Sequence, residues 1–133
     1  MKVLFVGIGG IIGSLLRYYT GVFTHTWWGS EFPLGTLLIN LIGSFFLGWF
    51  TYRIIKRNVL HPAVATGIGT GIVGSFTTFS TFSVETVTLM KAQLWGFALL
   101  YVLVSAIGGL LMSWAGCKLG SQSAGKMKGG LPS

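Results

Sequence analysis

A chain of 133 residues that is 52% hydrophobic, only 8% charged and formally +7 departs from the water-soluble pattern, in which about a quarter of residues carry charge. That balance excludes a soluble catalytic domain of ordinary size. The surplus of lysine and arginine reads as membrane topology and contact with anionic lipid, not as nucleic-acid binding.

Uncharged tracts run from Phe32 to Tyr52, Asn58 to Val84 and Ala92 to Cys117, and Val3 to Phe23 is broken only by Arg17. A hydrocarbon core takes about 20 residues of helix, so the reading is an all-α membrane protein with helices over about 3–23, 33–52, 62–91 and 94–117. The first tract follows Lys2 as a secretory leader would, but it runs on past Arg17 without a clear small-residue cleavage site and is kept as a helix. Trp27 and Trp28, in the loop with His25 and Ser30, suit the membrane interface. Pro62 opens the third helix at its first turn, where its missing N–H is no loss. The tail over 119–133, rich in glycine, serine and lysine, is expected to be disordered.

Glycines recur at four-residue intervals: Gly9 and Gly13, Gly67 and Gly71, Gly116 and Gly120, with Ser44 and Gly48 similar. Such ridges let helix backbones approach closely. The stretch "GIGGIIG" lacks the strand and the later acid of a dinucleotide fingerprint. Cys117 has no second thiol to pair with, and His25 and His61 are solitary residues near helix ends; none of the three is assigned chemistry.

The third tract is different. Gly67, Gly69, Gly71 and Gly74 arrive just before "SFTTFSTFS", residues 75–83, which holds six hydroxyls with Phe76, Phe79 and Phe82 at every third place. Helix propensity collapses there, and non-helical backbone at membrane depth survives only where it is buried or lines a watery cavity. A break in the third helix, mid-membrane around Gly74 to Thr78, is therefore expected. It offers carbonyls to a cation, and amides and hydroxyls to an anion. The bland alternative has each hydroxyl bonding back within its own helix. Phenylalanine rings, whose edges are positive, would line one path with hydroxyls on its flanks and attract an anion without a fixed charge.

The blocks "GGIIGSLLRY" at 9–18, "GTLLINLIGSFFLG" at 35–48 and "GIVGSFTTFSTFSVE" at 71–85 resemble the Fluc/CrcB fluoride channels, over about residues 1–118. The resemblance implies a passive fluoride channel formed by two four-helix subunits packed antiparallel. A structural, untransported sodium ion (Na+) would sit at their interface, held by the backbone carbonyls of Gly74 and Thr77. Phe79 and Phe82 would present ring edges to fluoride and Asn40 its side-chain amide. Ser80 and Thr81 join that pathway, with Thr78 and Ser83 in support. Tyr101 and Ser105, four apart on the last helix, resemble the family's polar track, whose next position here is Gly109. Ser75 stands where a second glycine is common.

Arg17, inside a span, attracts anions to a vestibule on the functional reading, or snorkels to the interface on the plain one. Glu85 either accepts from hydroxyls or amides as a structural group, or orders a hydroxyl that donates to fluoride. With both termini on one side, Lys2, Arg53, Lys56, Arg57, Lys118, Lys126 and Lys128 share that side against Lys91 alone. The positive-inside rule then predicts one orientation in the bacterial plasma membrane, termini cytoplasmic. The antiparallel partner is either a homologous chain, giving a heterodimer, or an oppositely inserted copy. A four-helix proton-coupled drug exporter is the alternative; it needs a titratable carboxylate in a substrate cavity. A non-transporting subunit would leave the Phe–hydroxyl pattern without a cause. No nucleophile–base–acid set marks an enzyme.

Overall fold

The protein is described here from a computed structural model covering residues 2–29 and 32–129, with side chains to residue 122. Ser30 and Glu31 of the first loop, and the last four residues of the expected tail, lie outside the described residues.

Helix α1 spans Lys2–Trp27 and α2 Leu34–Phe50, the latter continuing as a π-helical turn over Thr51–Ile55. Both outrun the ends expected at 23 and 52, because interfacial residues keep closing helical bonds beyond the apolar tract. The third tract is a chain of pieces: α3 over Pro62–Thr66, a π-helical stretch over Gly67–Val73, α4 over Gly74–Phe76 and α5 over Ser80–Lys91. The His61 ring nitrogen accepts from the Ala63 amide at 3.1 Å and caps α3, with Pro62 at its first position. Helix α6 runs Trp95–Gly129, past the boundary expected at 117 and over part of the stretch read as disordered.

Three helical spans are long and apolar enough to cross a membrane: Lys2–Trp27, Leu34–Ile55 and Trp95–Gln122. The third tract is not among them, since its helical pieces are short. Large apolar side chains face outward along α1 and α6, Val3, Phe23 and Leu110 among them. This inverts the soluble arrangement and suits a lipid surround.

The helices associate in two pairs, α2 with α6 and α1 with the stretch 62–76. Both pairings depend on the glycine ridges. A Cβ on Gly13 would strike Ile72 O and Ser75 Oγ, and one on Gly9 would strike Gly67 O. In the other pair a Cβ on Gly116 would meet Phe45 O and one on Gly48 would meet Ser113 O. The matched positions rise together in number, so each pair is parallel. A small apolar cluster of Leu37, Leu89, Ala98 and Tyr101, with Phe32 and Phe82 against it, ties α5 to α2 and α6.

Candidate functional site

Asn40 of α2 organises the gap between α4 and α5. Its Oδ1 accepts from the Thr78 amide at 2.8 Å, and its Nδ2 donates to the Thr78 carbonyl at 2.9 Å, so one side chain grips both sides of that residue's backbone. Thr77, just before, is extended with φ −77° and ψ 157°. Its amide makes a last helical bond to Val73 O at 3.0 Å.

Two carbonyls lose their usual helical donors as a result. In a continuous helix the Thr78 amide would close on Gly74 O, but it is given to Asn40. The Thr81 amide would close on Thr77 O, but it donates to Thr78 Oγ1 at 3.2 Å, which caps α5. Gly74 and Thr77 are the two residues that the resemblance assigns to sodium. Both border a cleft of about 330 Å³ with Asn40, Ser44, Thr78 and Phe79. Neutral carbonyl oxygens are hard donors that suit a hard cation. Among the described residues no group of three His, Cys, Asp or Glu is placed to hold a metal.

The hydroxyls of the run divide by role. Ser75, Thr77 and Ser83 bond back to carbonyls of their own turn, Gly71 O at 2.7 Å, Val73 O at 3.0 Å and Phe79 O at 3.0 Å. Thr78, Ser80 and Thr81 cluster instead at the start of α5, with Thr78 Oγ1 3.1 Å from Thr81 Oγ1 and 3.4 Å from Ser80 Oγ. The back-bonding alternative therefore describes half of the run, and the open half lies at the gap.

Phe79 is 78% exposed, an aromatic ring left uncovered at the mouth of the cleft. Phe82 lies 5.8 Å from it between centroids and 5.0 Å from Tyr101, tilted to both. Tyr101 is fully buried, and its hydroxyl donates to Glu85 Oε2 at 2.9 Å. Thr36 Oγ1 donates to Glu85 Oε1, also at 2.9 Å. Glu85 thus acts as an acceptor for two hydroxyls, and a second cleft of about 660 Å³, bounded by Thr24, His25, Trp28, Thr36 and Glu85, reaches it. Ser105 Oγ is buried with no hydrogen-bond partner. Arg17 is partly buried, one turn along α1 from Gly13, and makes no hydrogen bond or ion pair with a described residue. The structure brings Asn40, Gly74, Thr77, Thr78 and Phe79 around one cleft, and joins Phe82, Glu85 and Tyr101 beside it. Thr36 escaped the sequence reading. Its signal was the four-residue spacing of Thr36, Asn40 and Ser44 on an otherwise apolar helix.

The family model described as CrcB-like protein, Camphor Resistance (CrcB), matches residues 4–117. The chain belongs to the CrcB family. Among its relatives, the fluoride-specific ion channel FluC 1 of Bacillus thuringiensis subsp. konkukian (strain 97-27) is 58% identical over 117 residues, 88% of this chain and 85% of that one. FluC 1 of Bacillus cereus (strain ATCC 10987 / NRS 248) is 56% identical with the same coverage. The fluoride-specific ion channel FluC 2 of Geobacillus kaustophilus (strain HTA426) is 50% identical over 116 residues, 87% of this chain and 90% of that one. With its three long apolar spans, this CrcB chain is a multi-pass membrane protein.

Proposed function

We propose that this chain is one subunit of a passive, fluoride-selective channel that lets fluoride leave the cytoplasm, built as an antiparallel dimer around a sodium ion. The observation that carries the reading is the diversion of the Thr78 and Thr81 amides to Asn40 and Thr78 Oγ1, which lies between α4 and α5 and gathers neutral donors and free carbonyls in one place. The interruption lies at membrane depth on this reading, where irregular backbone is tolerated only against protein or water. The names of the relatives support the choice of ion.

Fluoride is small and strongly hydrated, so its water shell has to be replaced by close donors. Asn40 has a second Nδ2 hydrogen beyond the one given to Thr78, the exposed Phe79 ring offers its edge, and Ser80 and Thr81 stand beside it. Neutral donors bind weakly enough for release, which conduction requires. Phe82, packed on Tyr101, holds the second ring of the path. Arg17, with no carboxylate partner among the described residues, draws anions toward it. Gly74 and Thr77 carbonyls, with their counterparts in the second subunit, would hold the sodium ion, which supplies a fixed positive charge between the subunits. With the interior negative, anion exit is favoured by about 2.3 kcal/mol per charge per 100 mV, so an open path suffices for detoxification.

The distribution of Lys and Arg, seven on the terminal side against Lys91, supports a single orientation with cytoplasmic termini in the bacterial plasma membrane. An antiparallel partner would then be a homologous chain; a copy of itself requires insertion both ways. The test is efflux from vesicles holding purified protein. Fluoride is expected to leave and chloride to stay, and Phe82→Ile, which keeps bulk but removes the ring edge, is expected to lower fluoride efflux about tenfold. Full flux from this chain alone favours the homodimer, and flux only with a homologous chain favours the heterodimer. Equal leakage from protein-free vesicles and every preparation overturns the assignment.

A further inference from the structure

We propose that Ser44 is an additional fluoride-contacting residue, supplying on α2 the hydroxyl that α6 lacks at Gly109; this deepens the channel reading and rests on it. Polar residues climb the α2–α6 seam in step. On α2 they are Thr36, Asn40 and Ser44, and on α6 Tyr101, Ser105, Gly109 and Ser113, each four residues apart and so on one face. The pair is parallel, with Gly108 against Leu41, Gly109 against Ser44 and Gly48 against Ser113. Thr36 and Tyr101 form the first rung, Asn40 and Ser105 the second, Ser44 and Gly109 the third.

Gly109 breaks the α6 column, and Ser44 fills the gap from the facing helix: its Oγ lies 3.9 Å from where a Gly109 Cβ would stand. The hydroxyl is also held differently from its neighbours. Thr24, Thr51, Ser75, Thr77, Ser83 and Thr86 each donate to the carbonyl four residues back, the usual fate of a helical hydroxyl in an apolar medium. The Ser44 hydroxyl makes no such bond, although its own carbonyl accepts from Ser113 Oγ at 3.5 Å. Ser105 Oγ, on the rung before, is also unpaired and is buried, whereas Ser44 is only partly buried and its hydroxyl is open to the cleft. A hydroxyl without a partner costs free energy unless something else accepts from it. Ser44 also borders the cleft shared by Asn40, Gly74, Thr77 and Phe79, so an anion leaving Asn40 along α2 meets the Ser44 hydroxyl one turn further on.

The hydroxyl can be moved across the seam to test this. The 3.9 Å separation leaves room for a small side chain at position 109. In vesicles, together with any partner chain that wild-type flux requires, Ser44→Ala is expected to lower fluoride efflux about tenfold, the scale of one hydrogen bond to an ion. Adding Gly109→Ser to Ser44→Ala is expected to restore most of it, whereas adding Gly109→Ala, of nearly equal bulk without the hydroxyl, is not. Rescue by both additions, or unchanged flux in Ser44→Ala, overturns the assignment to Ser44 and leaves the channel reading standing. Absence of fluoride-selective flux in the wild type overturns both.

Discussion

Asn40→Ala is expected to lower fluoride efflux about a hundredfold and to raise the sodium concentration needed for half-maximal flux. The side chain makes two hydrogen bonds to Thr78, at 2.8 and 2.9 Å, and alanine leaves both backbone groups unpaired at about 1–3 kcal/mol each. The released Thr78 amide then has an accessible acceptor in Gly74 O, and closing that bond takes away a carbonyl on which the proposed sodium site depends. Loss of a fluoride contact alone would lower flux without moving the sodium dependence. Asn40→Asp is expected to be at least as damaging, because it keeps the acceptor for the Thr78 amide, removes the donor to the Thr78 carbonyl and sets a negative charge beside the proposed anion path. Sodium titrations of vesicle efflux, read for both maximum rate and midpoint, check the expectation.

Glu85→Ala is expected to lose about 2–4 kcal/mol of stability, because it removes the acceptor of two hydroxyls at once, those of the buried residues Thr36 and Tyr101. The effect would reach the proposed pathway through packing, since Tyr101 is 5.0 Å from Phe82 and Phe82 is 5.8 Å from Phe79. Glu85→Gln keeps the volume and one carbonyl acceptor, so its loss is expected to be about 1 kcal/mol. Denaturation midpoints in detergent, measured beside fluoride flux, separate the two variants. An equal loss in both would mean that charge, not hydrogen-bond acceptance, is what Glu85 contributes.

Much of the architecture could be read from apolar length and glycine spacing. Gly9, Gly13, Gly48 and Gly116 lie where helices touch because only their missing side chains allow the backbones so close, and that requirement is written directly as a four-residue repeat. Helix ends were less legible. Apolar tracts mark where lipid begins and ends, while α1 and α6 continue to Trp27 and Gly129 on hydrogen bonds that hydropathy does not register.

At the site, the hydroxyl-rich run and Asn40 were visible as polar residues in apolar sequence, but what each is bonded to was not. The family resemblance gives the amide of Asn40 to fluoride; the structure shows it holding Thr78, 38 residues away. The sequence is compatible with two roles for Glu85, and the hydroxyls that bond to it, those of Thr36 and Tyr101, lie on two other helices. No local pattern encodes those contacts; they follow from the parallel docking of α2 and α6 and from the turn that swings α5 against them.

The central claim is that a neutral, donor-lined interruption near Thr77 takes the place of fluoride's hydration. Solid-state NMR of isotopically labelled protein in bilayers tests it most directly, through backbone shifts across residues 67–91 with and without fluoride. The account predicts extended-backbone shifts at Thr77 between helical neighbours, and resonances of residues 78–82 that move with fluoride and not with chloride. Helical shifts without interruption from Gly67 to Lys91, unmoved by either halide, would contradict it.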